Sequence, residues 1–590
     1  MTPIPSSPDP SAVLAAGDEQ RRPRGNLAYV SGVTDDPLRF VTVSQALDET
    51  VAAHGSRAAA IFSAEREVLS WKDLQRQSDE LAAGLLALGL RRGNRVGIWS
   101  PNRREWLLAL FGTARIGGVL VNLNPAYRSN ELEFALNTVR CRVLIVARSV
   151  QGSHHLGLLR ALAPELDQPG DRPVLASRRL PHLRHVIVLG EGLVPARAER
   201  FSDFMRRASP NGKRRLPALA AALDPDDAVN IQFTSGATGA PKAVTLSHFN
   251  IVNNARYAAR AMQLAEGDKL CIAVPLYQSL GMVLGVLACV ATGATMVFAG
   301  EAFDPVRTLD AISRHRCTAL HGAPDMLEAM LEHPDLADYD TSSLRTGIIA
   351  GAPCSADTLQ RLIEAMSLDE MTVAYGTTEV GPVAFQTDVQ DSLELRASTV
   401  GRVHPNVEVK IVDREGRIVR VGSRGELCVR GYSVMRGYWE DPKRTRDVVD
   451  ETGWMHTGDL ATLDAEGYCR IAGRVKDMLV RGNAPVCPEE LEALIRRHPK
   501  VQDAQVFGVP GGLSDGSQGD EICAWIVLMP GASAAAEEVR AFCRKAGLGN
   551  VPRHIRFVAD FPATATGKVQ KFLMRATTLR ELKAKEAKTA

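Results

Sequence analysis

The chain has 590 residues, more than one hydrophobic core serves, so two or more domains are expected. Hydrophobic residues make up 45% and charged residues 23%, an ordinary balance for a soluble globular protein. With 70 basic against 68 acidic residues the net charge is +2, which argues against nucleic acid or an anionic membrane surface as the main partner. The 10 cysteines are scattered and no C-x-x-C pair occurs, which excludes a zinc-knuckle or thioredoxin pattern. Scattered cysteines in a chain of this size point to reduced, buried thiols in a cytoplasm.

The first 24 residues are rich in Pro, Ser, Ala and charge without an apolar run. Residues 1–30 therefore read as a flexible tail and not as a secretory signal. From Val68 onward helix and strand patterns alternate. Trp71–Leu90 has helical apolar spacing, Arg95–Trp99 reads as a strand, and Arg104–Ile116 as a helix. Gly118–Asn122 is the next strand, Glu131–Val139 a helix and Val143–Val146 a strand. This alternation predicts an α/β fold with parallel sheets covered on both faces. Residues 151–215 are rich in Pro, Arg and Gly and read as loops around one short strand, Val186–Val188.

The apolar run Ala228–Phe233 leads into Thr234, Ser235, Gly236, Ala237, Thr238, Gly239, Ala240, Pro241 and Lys242. A glycine- and hydroxyl-rich loop after a strand, closed by a lysine, suits phosphates. Glycines let the main chain come close, successive N–H groups point at one anion, and hydroxyls add donors. The G-x-x-x-x-G-K-[ST] spacing of a Walker loop is absent. Between Lys269 and Glu301 no charged residue occurs, a stretch long enough to span a bilayer. Pro275, Gly281, Gly285 and Gly293 interrupt it, so it reads as strand, loop, buried helix and second strand (Ala294–Ala299), with no membrane span. After about Val400 short strands with turns predict a β-rich subdomain over 400–475. An α/β stretch follows, with helices Glu489–Arg497 and Ala536–Cys543 and strands Ala504–Val509 and Ile522–Leu528. The domain boundary falls near Lys476.

Several segments stand out in order. The loop Thr234–Lys242 is followed by Val274–Gly281, Ala350–Pro353 and Tyr375–Glu379. Gly453–Asp459, Gly473–Asp477 and Pro562–Lys568 come after them. This ordered set resembles the adenylate-forming superfamily of acyl-CoA synthetases, adenylation domains and luciferases. It looks most like the medium- and long-chain fatty-acyl-CoA synthetase branch, over roughly Leu38 to Leu582. The resemblance implies a large AMP-binding domain (31–475) and a small mobile C-terminal domain (476–590). It implies ATP, Mg²⁺ and CoA as cofactors, and a small apolar carboxylic acid as substrate. The acid would become acyl-AMP and then a CoA thioester.

The resemblance also implies residue roles. The loop Thr234–Lys242 would hold the β- and γ-phosphates, and Glu379, beside Thr377 and Thr378, would bind Mg²⁺. Gly351, Ala352 and Pro353 would face adenine from one side and Tyr375, next to Gly376, from the other. Asp459 would accept the ribose hydroxyls, because a carboxylate offers two acceptor oxygens. Arg474 would contact ribose or phosphate. Lys568 would reach the reacting carboxylate and α-phosphate, acting with Lys242 and Glu379 in catalysis. Gln278, Gly281, Gly351 and Gly376 would border the acyl pocket. Lys476 would be the hinge, and Gly482, Asn483 and Ala484 would line the CoA tunnel.

Three departures from the family pattern matter. Gln278 stands where histidine is usual. Ala237 and Ala243 replace a threonine and a glycine in and beside the phosphate loop. Asn483 and Pro485 change the stretch after Arg481, where the family has a second glycine lining the tunnel. The tunnel change favours a second reading, an adenylation specialist that hands acyl-AMP to a carrier protein, an amine or a partner ligase. A non-catalytic protein that binds nucleotide or acyl ligand is a third reading, opposed by the near-complete set of charged residues.

Overall fold

The computed structural model describes residues 21–150, 152–170, 173–234, 241–481, 484–486, 488–510, 520–546, 551–562 and 569–589. The chain divides into two compact units. One comprises Met1–Lys410 with Cys428–His456 and Asp464–Cys469; the other comprises Ile411–Leu427, Thr457–Leu463 and Arg470–Ala590.

The first unit contains two large sheets. One has eight strands, and its parallel part runs Ala228–Thr234, Val119–Asn122, Arg95–Trp99, Val143–Val146, His185–Val188 and Glu199–Arg200. Lys242–Ser247 and then Gly437–Tyr438 add to the Ala228–Thr234 edge as antiparallel strands. The other sheet has nine strands. Its parallel core runs Glu370–Tyr375, Thr346–Ile349, Ala319–Gly322, Lys269–Ile272, Thr295–Phe298 and Ala58–Phe62. Val119–Asn122, Val143–Val146 and Thr346–Ile349 are buried at every position, the mark of parallel strands covered on both faces. The main core joins side chains from both sheets with those of helices Val43–His54, Trp71–Ala87, Arg104–Arg115 and His248–Ala261.

The segment 151–215 is more regular than its composition predicts. It holds helices His155–Leu162, Phe201–Met205 and Pro210–Ala221 besides the strand His185–Val188. Ser209 caps the third helix by accepting from Gly212 N–H, and Pro210 takes the first position, where no N–H is needed. Burial of Leu216 and Ala220 outweighs the interior Pro217. The uncharged segment after Lys269 folds as expected into strand Lys269–Ile272, helical turns from Ser279 to Thr292, and strand Thr295–Phe298. Its middle, Met282–Leu287, is π-helical, which apolar spacing alone does not reveal. Among the described residues no helix is long and apolar enough to cross a membrane.

The β-rich stretch consists of strands Val407–Val412, Gly425–Gly431, Met455–Leu463 and Cys469–Arg474, and the division between the units cuts through it. Tyr29–Ser31 pairs antiparallel with Glu408–Lys410. Within the second unit, Val501–Pro510, Asp520–Leu528 and His554–Phe557 form a three-stranded sheet. Alternation sends Val506, Ile522 and Ile526 to one core with helices Pro488–Arg496 and Ala536–Lys545. It sends Phe507, Cys523 and Trp525 to the other, with Met574 of helix Lys571–Thr589.

Candidate active site

In an open parallel sheet, ligands collect beyond the carboxyl ends of the strands, where the loops diverge. Lys269–Ile272, Ala319–Gly322, Thr346–Ile349 and Glu370–Tyr375 are neighbours in that order. The loops leaving three of these ends carry Gln278 and Gly281, then Gly351, Ala352 and Pro353, then Gly376, Thr377, Thr378 and Glu379. The topology thus brings the sequence-nominated adenine, acyl and metal candidates of the first unit to one edge.

Glu379 lies in a short 3₁₀ turn, Thr378–Val380, and is only 9% exposed. Its backbone carbonyl accepts from Met435 N–H at 2.9 Å. Tyr438, which the sequence reading did not nominate, donates its hydroxyl to Glu379 Oε1 at 3.1 Å. The same hydroxyl accepts from Lys242 Nζ at 3.2 Å. Burial, reinforced by the Glu379 charge, pushes the Tyr438 hydroxyl well above its ordinary pKa, so it keeps its proton. Lys242 opens a strand and sits opposite Thr234 across the hairpin. The hydroxyls of Thr234 and Thr377 are buried with no hydrogen-bond partner among the described residues. Buried polar atoms are normally satisfied, and these two hydroxyls lie, respectively, opposite Lys242 across the hairpin and two residues before Glu379 in the chain.

Gln278 and Gly281 belong to a segment that a buried polar chain holds in place. Ser279 Oγ donates to Gln232 Oε1 at 2.7 Å, and Gln232 Nε2 to Asn230 Oδ1 at 2.9 Å. Asn230 Nδ2 donates to Asn122 Oδ1 at 2.9 Å, and Asn122 Nδ2 returns to the Tyr277 carbonyl at 3.3 Å. The segment entering the candidate acyl region is thereby tied to the strand that leads into the phosphate loop. Replacing Gln232 by Leu is expected to strand the Ser279 and Asn230 groups and cost about 1–3 kcal/mol, read as a lower midpoint in urea denaturation. Gln278 itself hydrogen-bonds the Tyr277 hydroxyl, whose pKa burial nonetheless raises. Gly281 is required by a close approach, since a Cβ there would lie 2.3 Å from the Pro275 carbonyl oxygen. Below this segment His321 Nδ1 accepts from Ile348 N–H, and Nε2–H donates to the π-helical Leu284 carbonyl at 2.9 Å. Full burial lowers the His321 pKa to about 4, so the ring is neutral.

Tyr375 ends its strand with its ring 6.3 Å from that of Phe385. In the second unit Asp459 lies within the strand Met455–Leu463, a strand that its glycine-flanked motif hides. It is 4% exposed and pairs with Arg474 Nε at 3.0 Å, so these two nominated residues meet. Thr457 Oγ1 accepts from Asp459 N–H at 3.1 Å and donates to the Leu427 carbonyl at 2.8 Å. Lys476 is exposed in the 3₁₀ turn Val475–Asp477. Ala484 lies in a strand that pairs with Leu479–Arg481. Ser235, Gly236, Ala237, Thr238, Gly239, Ala240, Gly482, Asn483 and Lys568 lie outside the described residues.

Residues 47–439 match the model of the AMP-binding enzyme family, and residues 490–568 that of the AMP-binding enzyme C-terminal domain. The chain belongs to the AMP-binding enzyme family. Among its relatives, the mitochondrial medium-chain acyl-CoA ligase ACSF2 of Danio rerio is 40% identical over 561 residues, 94% of this chain and 91% of that protein. The solved structure of the anthranilate CoA ligase AuaEII, in complex with anthranoyl-AMP, matches with a TM-score of 0.78. It is 27% identical and covers 93% of this chain and 99% of its own. The amide bond synthetase McbA from Marinactinospora thermotolerans matches with a TM-score of 0.75 and 29% identity, covering 91% and 99%. Glu379, Lys242 and Tyr438 all fall within the stretch that matches the AMP-binding family model.

Proposed function

We propose that this chain activates an apolar carboxylic acid with ATP, forming acyl-AMP and pyrophosphate, and then moves the acyl group to the thiol of CoA with release of AMP. The observation that carries this reading is the cluster of Glu379, Lys242 and the bridging Tyr438 hydroxyl, with the hydroxyls of Thr234 and Thr377, unpartnered among the described residues, in a chain of this family. A medium-chain fatty acid is the substrate class favoured by similarity to the ACSF2 ligases.

Two anions must approach each other, so cations and donors must be placed beforehand. Lys242 and the loop Thr234–Lys242 take the β- and γ-phosphates. Glu379 and Thr377 offer hard oxygen donors that fit Mg²⁺, which supplies neutralising charge to the phosphates when bound. Gly351, Ala352, Pro353 and Tyr375 border adenine, Asp459 takes the ribose hydroxyls, and Arg474 orients Asp459 through their ion pair. Lys568 neutralises charge on the reacting carboxylate and α-phosphate. Gln278, Gly281, Gly351 and Gly376 border the acyl chain. Lys476 serves as the hinge between a large domain and a small one, and Gly482–Ala484 border the path of the CoA arm. The nine described cysteines, all buried and unbridged, support a cytoplasmic setting.

The experiment is product analysis with medium- and long-chain acids, with and without CoA. Acyl-CoA with AMP release is expected. No acid-dependent product from any acid would overturn the reading. The second reading, transfer of acyl-AMP to an amine or carrier thiol, is favoured by Asn483 and Pro485 and by the likeness to McbA. Acyl-AMP without a thioester would decide for it.

A further inference from the structure

We infer that Tyr438 is a positioning residue for MgATP, a neutral spacer that holds Lys242 and Glu379 ready for phosphate and cation and keeps them from neutralising each other. The inference rests on the function proposed above and adds a residue to its site. Tyr438 occupies the two-residue edge strand Gly437–Tyr438, which pairs with Val244 and Thr245. Its residue is 6% exposed and its ring joins the main core. Packing alone would be served as well by phenylalanine. A hydroxyl in such a place needs partners, and its described ones are the Lys242 ammonium at 3.2 Å and the Glu379 carboxylate at 3.1 Å.

The chemistry of that bridge is specific. One phenolic proton goes to Glu379 Oε1, and one lone pair takes a proton of Lys242. Glu379 keeps its second oxygen for a cation, and Lys242 keeps two N–H donors for phosphate. Without the bridging oxygen, opposite charges on either side of it are drawn together in a poorly solvated place. A direct pair would occupy both groups and compete with MgATP.

The test uses the full chain, with MgATP alone as the probe in calorimetric binding, and steady-state kinetics alongside. Tyr438→Phe removes one oxygen and keeps the ring. Loss of a charge-assisted hydrogen bond on each side is expected to weaken MgATP binding and raise the KM for ATP about tenfold. The KM for the acid should stay unchanged, and the melting temperature should fall by no more than the two lost hydrogen bonds account for. A purely structural tyrosine would move stability and leave the ATP term alone. In a Glu379→Gln background the same substitution should add less than about twofold to the loss, because the bridge already lacks its charged acceptor. MgATP binding by Tyr438→Phe within twofold of the parent, or equal losses in both backgrounds, would overturn the inference. If Tyr438→Phe does not fold, Lys242→Met combined with Glu379→Gln asks the same question. Non-additive losses in MgATP binding support the bridge, and additive losses overturn it. A parent chain that makes acyl-AMP while Tyr438→Phe binds MgATP normally defeats this inference alone. A parent chain that binds no MgATP defeats the function proposed above and this inference with it.

Discussion

Replacing Glu379 by Gln is expected to lower acid-dependent ATP–pyrophosphate exchange by about 10²–10³-fold, the usual cost of losing one preorganised electrostatic contact. Glutamine keeps the length and planarity of the side chain. It removes the negative charge and turns one oxygen into a donor, which no longer suits a cation. The Tyr438 hydroxyl can still donate to the remaining amide oxygen, so the local packing survives. A buried carboxylate is also costly to desolvate. Stability is therefore expected to hold within about 1 kcal/mol or to rise slightly. Exchange kinetics and a thermal melt on the same preparation check both halves. Exchange within a few-fold of the parent chain would remove Glu379 from the reaction.

Gly376→Ala should behave differently, losing stability and activity together. A Cβ at this position would lie 2.0 Å from the Pro382 carbonyl oxygen and 2.9 Å from its carbon. Both are backbone atoms, so no side chain can rotate away, and the loop itself must open. Forced overpacking of this kind costs about 1–3 kcal/mol, occasionally more. The displaced loop is the one that carries Thr377, Thr378 and Glu379, and activity is expected to fall at least tenfold in the fraction that remains folded. Urea denaturation gives the first number and exchange activity corrected for folded fraction gives the second. An unchanged denaturation midpoint would mean that the 375–382 loop tolerates the shift.

The alternating strand and helix pattern was legible because buried parallel strands are continuously apolar; Arg95–Trp99 and Val143–Val146 match the structure residue for residue. The motif residues were legible because their chemistry is local. Glycines, hydroxyls and charges recur at short spacing around Thr234, Glu379 and Asp459. Tyr438 was not legible, since its two partners lie 196 and 59 residues away in the chain and no spacing rule joins them. The chain Asn122–Asn230–Gln232–Ser279 escaped for the same reason; each member is an unremarkable amide or hydroxyl until two strands and a helical turn bring them together. Helix Pro210–Ala221 was missed because composition spoke for loop while burial of one face decided for helix. The strand holding Asp459 was missed because Gly453 and Gly458 suggest turns around it.

The hairpin that bears Lys242 carries a consequence for sequence change. This lysine stands on a strand, so the pleat sets its direction. Lys242, Val244 and Leu246 share one face, with Val244 and Leu246 in the main core, whereas Ala243 faces the other cluster. A lysine at a helix start could drift by a residue and keep reaching its anion. Here a single-residue insertion or deletion between Lys242 and Val244 would turn the ammonium to the opposite side of the sheet. The alternation of the strand therefore forbids a one-residue change of length on the strand side of Lys242, whatever residue is added or lost.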